Sequence, residues 1–495
     1  MTGSHLKVVF GLKLKHLRLK RELSLKELAS NVGLSPSYLN EIERGKKHPK
    51  PEKVERLAEA LGVTYNELVS SKFDRSQVHY ESLLNSPALK KIPFHLFGLT
   101  LEDIVALIPD AKNEGQALVK ALIEVARGYD LRVENFFHIA LRCYQEMHKN
   151  FFPEIESVVA DYRRSHGWST SSVVSLAELV SALRKDFGVL VDELELDRTK
   201  YLKHVRSALV ERDGREVLLV HRRYNESQKA FLVLREIGFR LLEIEDRGRC
   251  SPDIEDQTFE RIRNAFLVSY FASAFLIDGK TLADEMERFF QLPRWEPEKF
   301  LEIVDSYPAT VEMFFYRLSE VLPEYLGLDD LHFLRFDRNT QGEVFLVKQL
   351  NMSSVLLPTG LGLHEHFCRR WMSVKVLDRL SSSEQRFEIG AQHSVSIENN
   401  QEYFCISVAR SLKPEAENLS SVTIGFRYDR KLKSMIRFLG SPDIENDAIG
   451  GTCERCRLSR DECFERVAPQ SVFSSDLLRA QQREELNSLL EGGNS

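Results

Sequence analysis

The stretch from Ser24 to Arg44 constrains the fold of this 495-residue chain more than any other. Ser24 and Glu27 have the spacing of a capping box, in which the hydroxyl and the carboxylate each accept a hydrogen bond from an amide at a helix start. Apolar residues then follow at helical spacing, and Gly33 ends this helix because glycine tolerates a left-handed turn. Ser35 can cap a second helix, which has proline at its first position. The stretch therefore predicts two short helices joined by a tight turn.

The outer face of the second helix is polar. Leu39 and Ile42 point inward, so the residues between them point outward. Side chains of this size and polarity reach base edges when a helix lies in the major groove of DNA, and the basic residues that follow lie where phosphates would be. The predicted DNA-binding residues are Ser35, Ser37, Asn40, Glu41, Arg44, Lys46 and Lys47. The alternative is an ordinary helical hairpin with a solvated face.

These residues resemble the XRE (lambda-repressor-like) family of DNA-binding domains. The resemblance covers about residues 8–70 and rests on the run GLSPSYLNEIERGK and on PEKVERLAEALGV further along. Glu43 matches the family's helix-end glutamate, which we interpret as structural. Together with the apolar pattern, the resemblance implies five short helices around a small core, a double-stranded DNA operator as partner, and a homodimer.

Charge and composition agree with one DNA-contacting end. Residues 1–74 carry a net charge of +5, and the remaining residues carry −11. A basic head on an acidic body suits a protein that contacts DNA at one end only. No apolar run approaches the roughly 20 residues of a membrane helix, and the N-terminus shows no signal-peptide pattern. We expect a cytoplasmic protein without a membrane partner.

The rest of the chain predicts several further segments. Residues 71–165 carry apolar residues at helical spacing and predict a helical linker or dimerisation arm. Residues 173–330 predict a mixed segment. Residues 331–495 alternate like strands around one helix, which predicts an α+β sensing domain of GAF or PAS type. The expected fold class is multidomain and mainly α, with an α+β C-terminal half.

The segment 173–330 resembles the ImmA/IrrE metallopeptidase fold. The resemblance rests on a hairpin around Asp213-Gly214, two helices and the run SYPATVEMFFYRL. Active members carry HExxH, in which two histidines bind zinc and the glutamate activates water. The matching positions here run from Arg235 to Phe239 and keep only Glu236. We therefore expect a scaffold without its metal site, in which Glu236 pairs with Arg235 or Arg240, and no enzyme activity.

Three cysteines lie close together near the C-terminus. Cys453, Cys456 and Cys463 form CxxC followed by a third thiol, a spacing that can surround one metal centre. Cys368 is the best candidate for a fourth ligand, with His364 and His366 as alternatives. Spacing alone does not separate zinc from an iron–sulfur cluster. The alternative is a set of thiols without a metal.

The whole order of segments resembles the short-chain fatty acyl transcriptional regulators, which include the propionate-catabolism regulators. Beyond the segment order, the resemblance rests on CRRW at 368–371, ISVARSL at 406–412 and IGGTCERCRLSRDECFERVAP at 449–469. It implies acyl-CoA or CoA binding in the C-terminal half and a 4Fe–4S cluster on Cys368, Cys453, Cys456 and Cys463. The residues expected to bind the CoA phosphates are Arg369, Arg370, Lys375 and Arg410, whose alternative role is that of solvated surface charges.

The predicted function is that of a DNA-binding transcriptional regulator of short-chain fatty acid metabolism, controlled by acyl-CoA. Two alternatives stay open. One is a redox or iron sensor, in which loss of the cluster is the signal. The other is a metallopeptidase-like protein that cleaves a repressor.

Overall fold

The computed structural model describes residues 3–21, 23–43, 45, 47–70, 133–170, 172–199, 202, 205–252, 258–353, 365–412 and 418–468. Most of the predicted helical arm, the predicted tail helix from about 474, and the residues Arg44, Lys46 and His364 lie outside this part. The chain divides into two compact units. The first comprises residues 1–138 and 258–260, and the second comprises residues 139–257 and 261–495.

Five helices form the N-terminal head, as predicted. They are α1 (Gly3–Lys20), α2 (Leu25–Asn31), α3 (Pro36–Glu43), α4 (Pro51–Leu61) and α5 (Tyr65–Val69). The predicted capping box at the start of α2 is present, because Ser24 Oγ accepts from the Glu27 amide and the Glu27 carboxylate accepts from the Ser24 amide. Thr64 and Glu67 cap α5 in the same way. Sequence-local hydrogen bonds thus set where these helices begin.

One apolar cluster fills the head. Its fully buried members are Phe10, Leu14, Leu28, Ala29, Val32, Leu39, Ile42, Val54, Leu57, Ala58, Leu61 and Leu68. Helices α1 and α3 approach closely at Gly11, where an added Cβ would lie 2.4 Å from the carbonyl oxygen of Ile42. This contact requires glycine and fixes α3 against α1.

The rest of the described chain mixes helices and strands. The helices are α6 (Val133–Met147), α7 (Pro153–Ser165), α8 (Leu176–Phe187), α9 (Glu226–Leu241), α10 (Phe259–Leu276), α11 (Gly279–Phe290), α12 (Pro297–Ser306), α13 (Val311–Leu326), α14 (Met372–Ser381) and α15 (Arg430–Met435). The strands are β1 (Leu190–Asp192), β2 (Ser207–Arg212), β3 (Arg215–Val220), β4 (Cys250–Ser251), β5 (Leu331–Arg338), β6 (Val344–Asn351), β7 (Phe387–Ser396), β8 (Glu402–Ser411), β9 (Leu419–Arg427) and β10 (Glu445–Ile449).

Two sheets organise the second unit. The smaller has the order β1-β3-β2-β4, and its β2–β3 hairpin turns at Asp213 and Gly214, both with positive φ, as predicted. The larger has the order β10-β7-β8-β9-β5-β6. It is antiparallel except at β10, which runs parallel to β7. The α+β character of the C-terminal half is therefore confirmed, whereas the GAF/PAS and ImmA/IrrE relationships stay predictions.

Helices cover both faces of the larger sheet. Phe333, Ile406 and Ile424 point to the face covered by α13, and they belong to an apolar core that extends back to Phe152. Leu334 points to the opposite face, where α14 packs. The larger core therefore crosses the predicted boundary at residue 330 without a break.

The largest fully buried side chain is a charged one. Arg317 on α13 bonds both oxygens of Glu156 on α7, at 2.8 and 3.0 Å, and one oxygen of Glu320 at 3.0 Å. Its Nε donates to the carbonyl oxygen of Ile277. Oε1 of Glu320 has no hydrogen-bond partner among the described residues. One guanidinium thus faces two carboxylates.

None of the described helices is by itself both long and apolar enough to cross a membrane. Helices α10 and α11 reach that length and composition only as a pair, and this pair bends by 65°.

The pH dependence of unfolding tests the buried charge group. Burial, opposed by Arg317, raises the pKa of Glu320 from 4.5 to about 7. The folded chain therefore binds a proton that the unfolded chain releases between these two values, so the free energy of unfolding falls as pH rises from about 4.5 to about 7. This fall in the free energy of unfolding amounts to about 3 kcal/mol, and the Glu320→Gln variant should not show it.

The measurement is urea unfolding at pH 4.5 and pH 8, followed by tryptophan fluorescence, because Trp168, Trp295 and Trp371 all lie in the second unit. Glu324→Gln, at an exposed position of the same helix, is the control and should keep the wild-type pH dependence. Equal pH dependence of the Glu320→Gln variant and the wild type would contradict the raised pKa.

Candidate functional sites

Helix α3 presents the predicted recognition surface. Ser35 caps it, since Ser35 Oγ accepts from the Tyr38 amide at 3.2 Å. Ser35 and Ser37 are exposed, and Asn40 and Glu41 are half-buried. The inward face carries the buried apolar residues of the head core. The polar set therefore lies on one outward face.

Glu41 is engaged in the free protein. Its carboxylate lies 2.8 Å from the Lys47 ammonium, and both side chains are in contact with solvent. The hydrogen bond and charge of Glu41 raise the pKa of Lys47. Contacts to a base and to a phosphate by these two residues require that this ion pair open.

Glu43 has the structural role that we expected. The Arg18 guanidinium donates to both of its oxygens, at 2.6 and 2.9 Å, and both side chains are buried. Arg18 also donates to the carbonyl oxygen of Leu23. The pair connects α1 to the end of α3 and so orients the recognition face.

The structure brings Cys368 to the cysteine-rich loop, as predicted. An isolated bridge pairs Phe367 with Thr452. The Cys368 amide donates to the carbonyl oxygen of Gly451, and the Cys453 amide donates to that of His366. Two segments distant in sequence therefore meet at their cysteines.

The four predicted thiols are buried, at 5 to 6% exposure, and none is in a disulfide. Burial raises the pKa of Cys368 to about 11, while the amides of Gly450 and Arg370 lower it by donating to the sulfur. The thiols of Cys456 and Cys453 also raise it, which places all three within electrostatic reach of one another. Cys456 has the same influence on Cys463.

These residues suit a thiolate-bound group in chemistry and burial. Amides that donate to sulfur stabilise thiolates, and free buried thiols are the usual ligands of zinc and iron–sulfur centres. Among the described residues, however, no three side chains of His, Cys, Asp or Glu are gathered around one point as a single metal ion requires. His366 is held by Glu454 at 2.8 Å.

The four predicted phosphate-binding residues do not form one site. Arg370 bonds Glu465 and the carbonyl oxygen of Glu462. Arg369 and Lys375 line an open cleft of about 480 Å³ from which Arg370 and Arg410 are absent. Arg369 and Lys375 therefore lie at one place, Arg370 at a second and Arg410 at a third.

Arg410 belongs to a second group of cations, at the N-terminal end of α13. Arg335 donates to Glu312 at 2.8 Å, and charges on Lys348, Arg410 and Arg206 add to its effect. Burial alone would raise the pKa of Glu312, but these four cations hold it below its usual value. We name Arg206, Arg335, Lys348, Arg410 and Glu312 the Glu312 cluster.

Most cations of the Glu312 cluster have no carboxylate partner in the part of the chain that the structure describes. Arg335 is paired with Glu312 and with Asp337. Among the described residues, none of the other three has a carboxylate within ion-pair distance. Burial lowers the pKa of Lys348 and of Arg410. Lys348 as a whole is nevertheless exposed, and its ammonium lies 3.6 Å from the centre of the Tyr316 ring.

Arg206, Arg335 and Lys348 were not predicted to be site residues. Two strands did carry a signal, because a charge at a core-facing position is unusual. Arg335 lies two residues from Phe333, and Arg410 lies two residues from Val408, on the same buried faces of β5 and β8. That these cations meet depends on sheet pairing, which the sequence does not state.

The HExxH-like positions hold an ion network. Glu236 on α9 is 1% exposed and bonds Arg247 at 2.5 and 2.9 Å and Arg240 at 2.9 and 3.0 Å. The expected partner Arg240 is confirmed, whereas Arg235 instead donates to Ser251. Arginine at position 235 and phenylalanine at position 239, where HExxH has its two histidines, cannot ligate zinc. A catalytic zinc ion does not fit here.

Comparisons with known proteins match the head. The helix-turn-helix family model matches residues 14–68. The HTH-type transcriptional repressor RghR of Bacillus subtilis is 38% identical over 71 residues, which are 14% of this chain and 53% of that protein. The control protein C.MunI of a Mycoplasma species is 38% identical over 66 residues, 13% of this chain and 89% of that protein.

The chain spans about half the length of the first curated relatives it matches. A solved structure described as a Mycobacterium tuberculosis transcriptional regulator aligns with 67% of this chain and 94% of its own, at 15% identity and a TM-score of 0.47.

Proposed function

Because the chain belongs to the helix-turn-helix family through residues 14–68, we propose that the protein is a sequence-specific DNA-binding transcriptional regulator of the XRE type. The observation that carries this proposal is the outward polar face of α3, braced by the buried Arg18–Glu43 pair. One short recognition helix reads few base pairs, so we place the protein on a two-fold operator as a homodimer.

The side chains of α3 suit base readout. The amide of Asn40 can donate to and accept from adenine in the major groove, and Ser37 can bond several bases. Glu41 can accept from cytosine once Lys47 leaves it for a phosphate. Lys47, and the basic residues beside it in sequence, would supply the salt-dependent part of the affinity.

An acyl-CoA is the proposed effector, with its phosphates at the Glu312 cluster. Arg206, Lys348 and Arg410 have no carboxylate within ion-pair distance among the described residues, so a polyanion can form charge-assisted hydrogen bonds with them without displacing such a partner. Arg235 extends this positive region: its pKa falls to about 10 because of burial, Arg247 and Arg206, and its buried Nε has no partner among the described residues.

Aromatic side chains border the same cations. Phe387 pairs across the sheet with Arg410 and is 41% exposed, and Phe345 pairs with Asp337 and is 50% exposed. An acyl-CoA joins phosphates to an adenine ring and an apolar chain, so a positive region with exposed aromatic neighbours matches its chemistry.

A 4Fe–4S cluster is the proposed group at Cys368, Cys453, Cys456 and Cys463. Each thiolate would bind a different iron, so the sulfurs lie further apart than around one zinc ion. The burial of all four thiols and the amides that donate to the sulfur of Cys368 support a thiolate-bound centre at this place. When bound, such a cluster can change by one electron, which makes an iron or redox input a second candidate for the signal.

Regulation requires that effector and DNA binding be coupled. If an acyl-CoA changes the affinity for DNA by some factor, DNA changes the affinity for the acyl-CoA by the same factor. The metallopeptidase alternative has no support at positions 235–239, where Glu236 is held by Arg240 and Arg247.

Specific readout by Asn40 predicts a selective loss of affinity. Asn40→Ala should weaken binding to an operator, selected from random duplexes, by about 10- to 100-fold, because a bidentate base contact is lost. Binding to unrelated DNA should not change. Fluorescence anisotropy at fixed salt measures both.

Asn66→Ala is the matched control, since Asn66 is an exposed asparagine on α5 of the same head. Operator binding by the Asn40→Ala variant at wild-type strength would remove Asn40 from the recognition surface.

The effector site predicts a loss of CoA affinity. Lys348→Ala and Arg410→Ala should each weaken the binding of propionyl-CoA and of CoA by about 10-fold or more, because a charge-assisted phosphate contact disappears. Isothermal titration calorimetry with the full chain measures this.

Arg430→Ala removes the same charge from an exposed position on α15 and is the control. If all three variants bind propionyl-CoA like the wild type, the effector does not occupy the Glu312 cluster.

The thiol site predicts the metal content. Anaerobically purified protein should contain iron and labile sulfide at about four each per chain, with visible charge-transfer absorbance. Cys456→Ser should lose both, whereas Cys143→Ser, at an exposed thiol, should keep them. One zinc per chain in place of iron would overturn the cluster, and no metal at all would overturn the site.

A further inference from the structure

The open cleft of about 480 Å³ lies apart from the Glu312 cluster and has its own charge pattern. It is formed by the end of β5, the hairpin loop that follows, the residues before and along α14, and the end of the cysteine-rich loop. The lining residues are Arg338, Gly342, Arg369, Lys375, Asp378, Arg379, Glu465 and Val467. None of them belongs to the Glu312 cluster, whose cations we assign to the phosphates of an acyl-CoA.

Two of the four cations in the cleft are already neutralised. The Lys375 ammonium bonds Glu445 at 2.8 Å and also bonds Asp447. The Arg379 guanidinium bonds Glu445 at 2.5 Å. These two carboxylates cancel the two charges, so neither Lys375 nor Arg379 needs a ligand.

The other two cations are under-satisfied. Arg338 and Arg369 come from different elements and approach one shared carboxylate, that of Asp378, only to 3.6 and 3.8 Å. Both distances exceed the 2.7–2.9 Å of a charge-assisted hydrogen bond. The Nε atoms of both arginines are buried and have no hydrogen-bond partner among the described residues. Buried donors of this kind are costly unless something accepts from them.

The charge balance selects the class of ligand. The carboxylate of Glu465 also lines the cleft but is paired with Arg370. The two guanidinium groups and the carboxylate of Asp378 therefore leave a net charge of +1, which a monoanion neutralises and a phosphate dianion exceeds. A guanidinium also matches a carboxylate as a planar two-bond fork.

The cleft is also larger than a carboxylate needs, and its lining presents mostly carbon atoms. Val467, which is 51% exposed, supplies an apolar wall.

We propose that this cleft binds an organic monocarboxylate, with the carboxylate between Arg338 and Arg369 and an apolar body beside Val467. The site is independent of the proposed effector site, since it shares no residue with the Glu312 cluster. The monocarboxylate proposal can therefore be tested separately from the acyl-CoA proposal.

The test is calorimetric titration of hexanoate into the full chain, with inorganic phosphate as competitor. Arg338→Ala and Arg369→Lys should each weaken hexanoate binding at least 10-fold, the second because a lysine keeps the charge but loses the fork. Asp378→Asn should strengthen it several-fold by removing the competing carboxylate. Such a gain cannot result from misfolding.

Two controls separate this site from other cations. Arg379 lines the same cleft, but Glu445 already neutralises its charge, so the first control is Arg379→Ala. Lys348 belongs to the Glu312 cluster, so the second control is Lys348→Ala. Both should bind hexanoate within about twofold of the wild type.

The proposal would be overturned by no binding of hexanoate by the wild type, by unchanged binding by the Arg338→Ala and Asp378→Asn variants, or by displacement of hexanoate by phosphate at equal concentration. The last outcome would identify an inorganic-anion site instead. Loss of binding in the Lys348→Ala variant alone would assign hexanoate to the Glu312 cluster, and would also overturn it.

Discussion

The guanidinium of Arg317 is the interaction on which the larger unit depends. The N–H donors of a buried arginine need hydrogen-bond acceptors. Arg317 has acceptors on α7, on α13 itself and on the turn between α10 and α11. Removing one partner of such a group leaves a buried charge uncompensated, at a cost of about 3–5 kcal/mol. Glu312 lies in the first turn of the same helix. The helix that Arg317 anchors in the core therefore also positions the carboxylate of the Glu312 cluster.

Cations in this protein fall into two kinds, and the distinction separates structure from function. Arg18 and Arg247 hold carboxylates at short distances and orient helices. Lys348, which is exposed, and Arg410, which is half-buried, have no such carboxylate among the described residues. Their charges are therefore available to a bound anion, which can form charge-assisted hydrogen bonds with them.

Local structure was predictable where hydrogen bonds or alternation are local. The run LHFLRFDR is β5 in full, and the capping boxes at Ser24 and Ser175 mark the helix starts. Helix α11 was missed, although Asp278 caps it and its apolar residues recur at helical spacing. The meeting of Cys368 with Cys453 was predicted from chemistry. The Glu312 cluster was not, because its members come from separate strands and a helix, and no spacing in the sequence links them.

The ion pair between Glu41 and Lys47 has a consequence for how DNA binding responds to salt. When a fully solvated lysine binds a phosphate, it displaces a counterion from the duplex. Each counterion released in this way adds to the slope of the logarithm of the affinity against the logarithm of the salt concentration. Lys47 must first leave a carboxylate, and a cation from solution then replaces it there. One ion is released and another is taken up, so the slope would count one phosphate contact fewer than the interface contains.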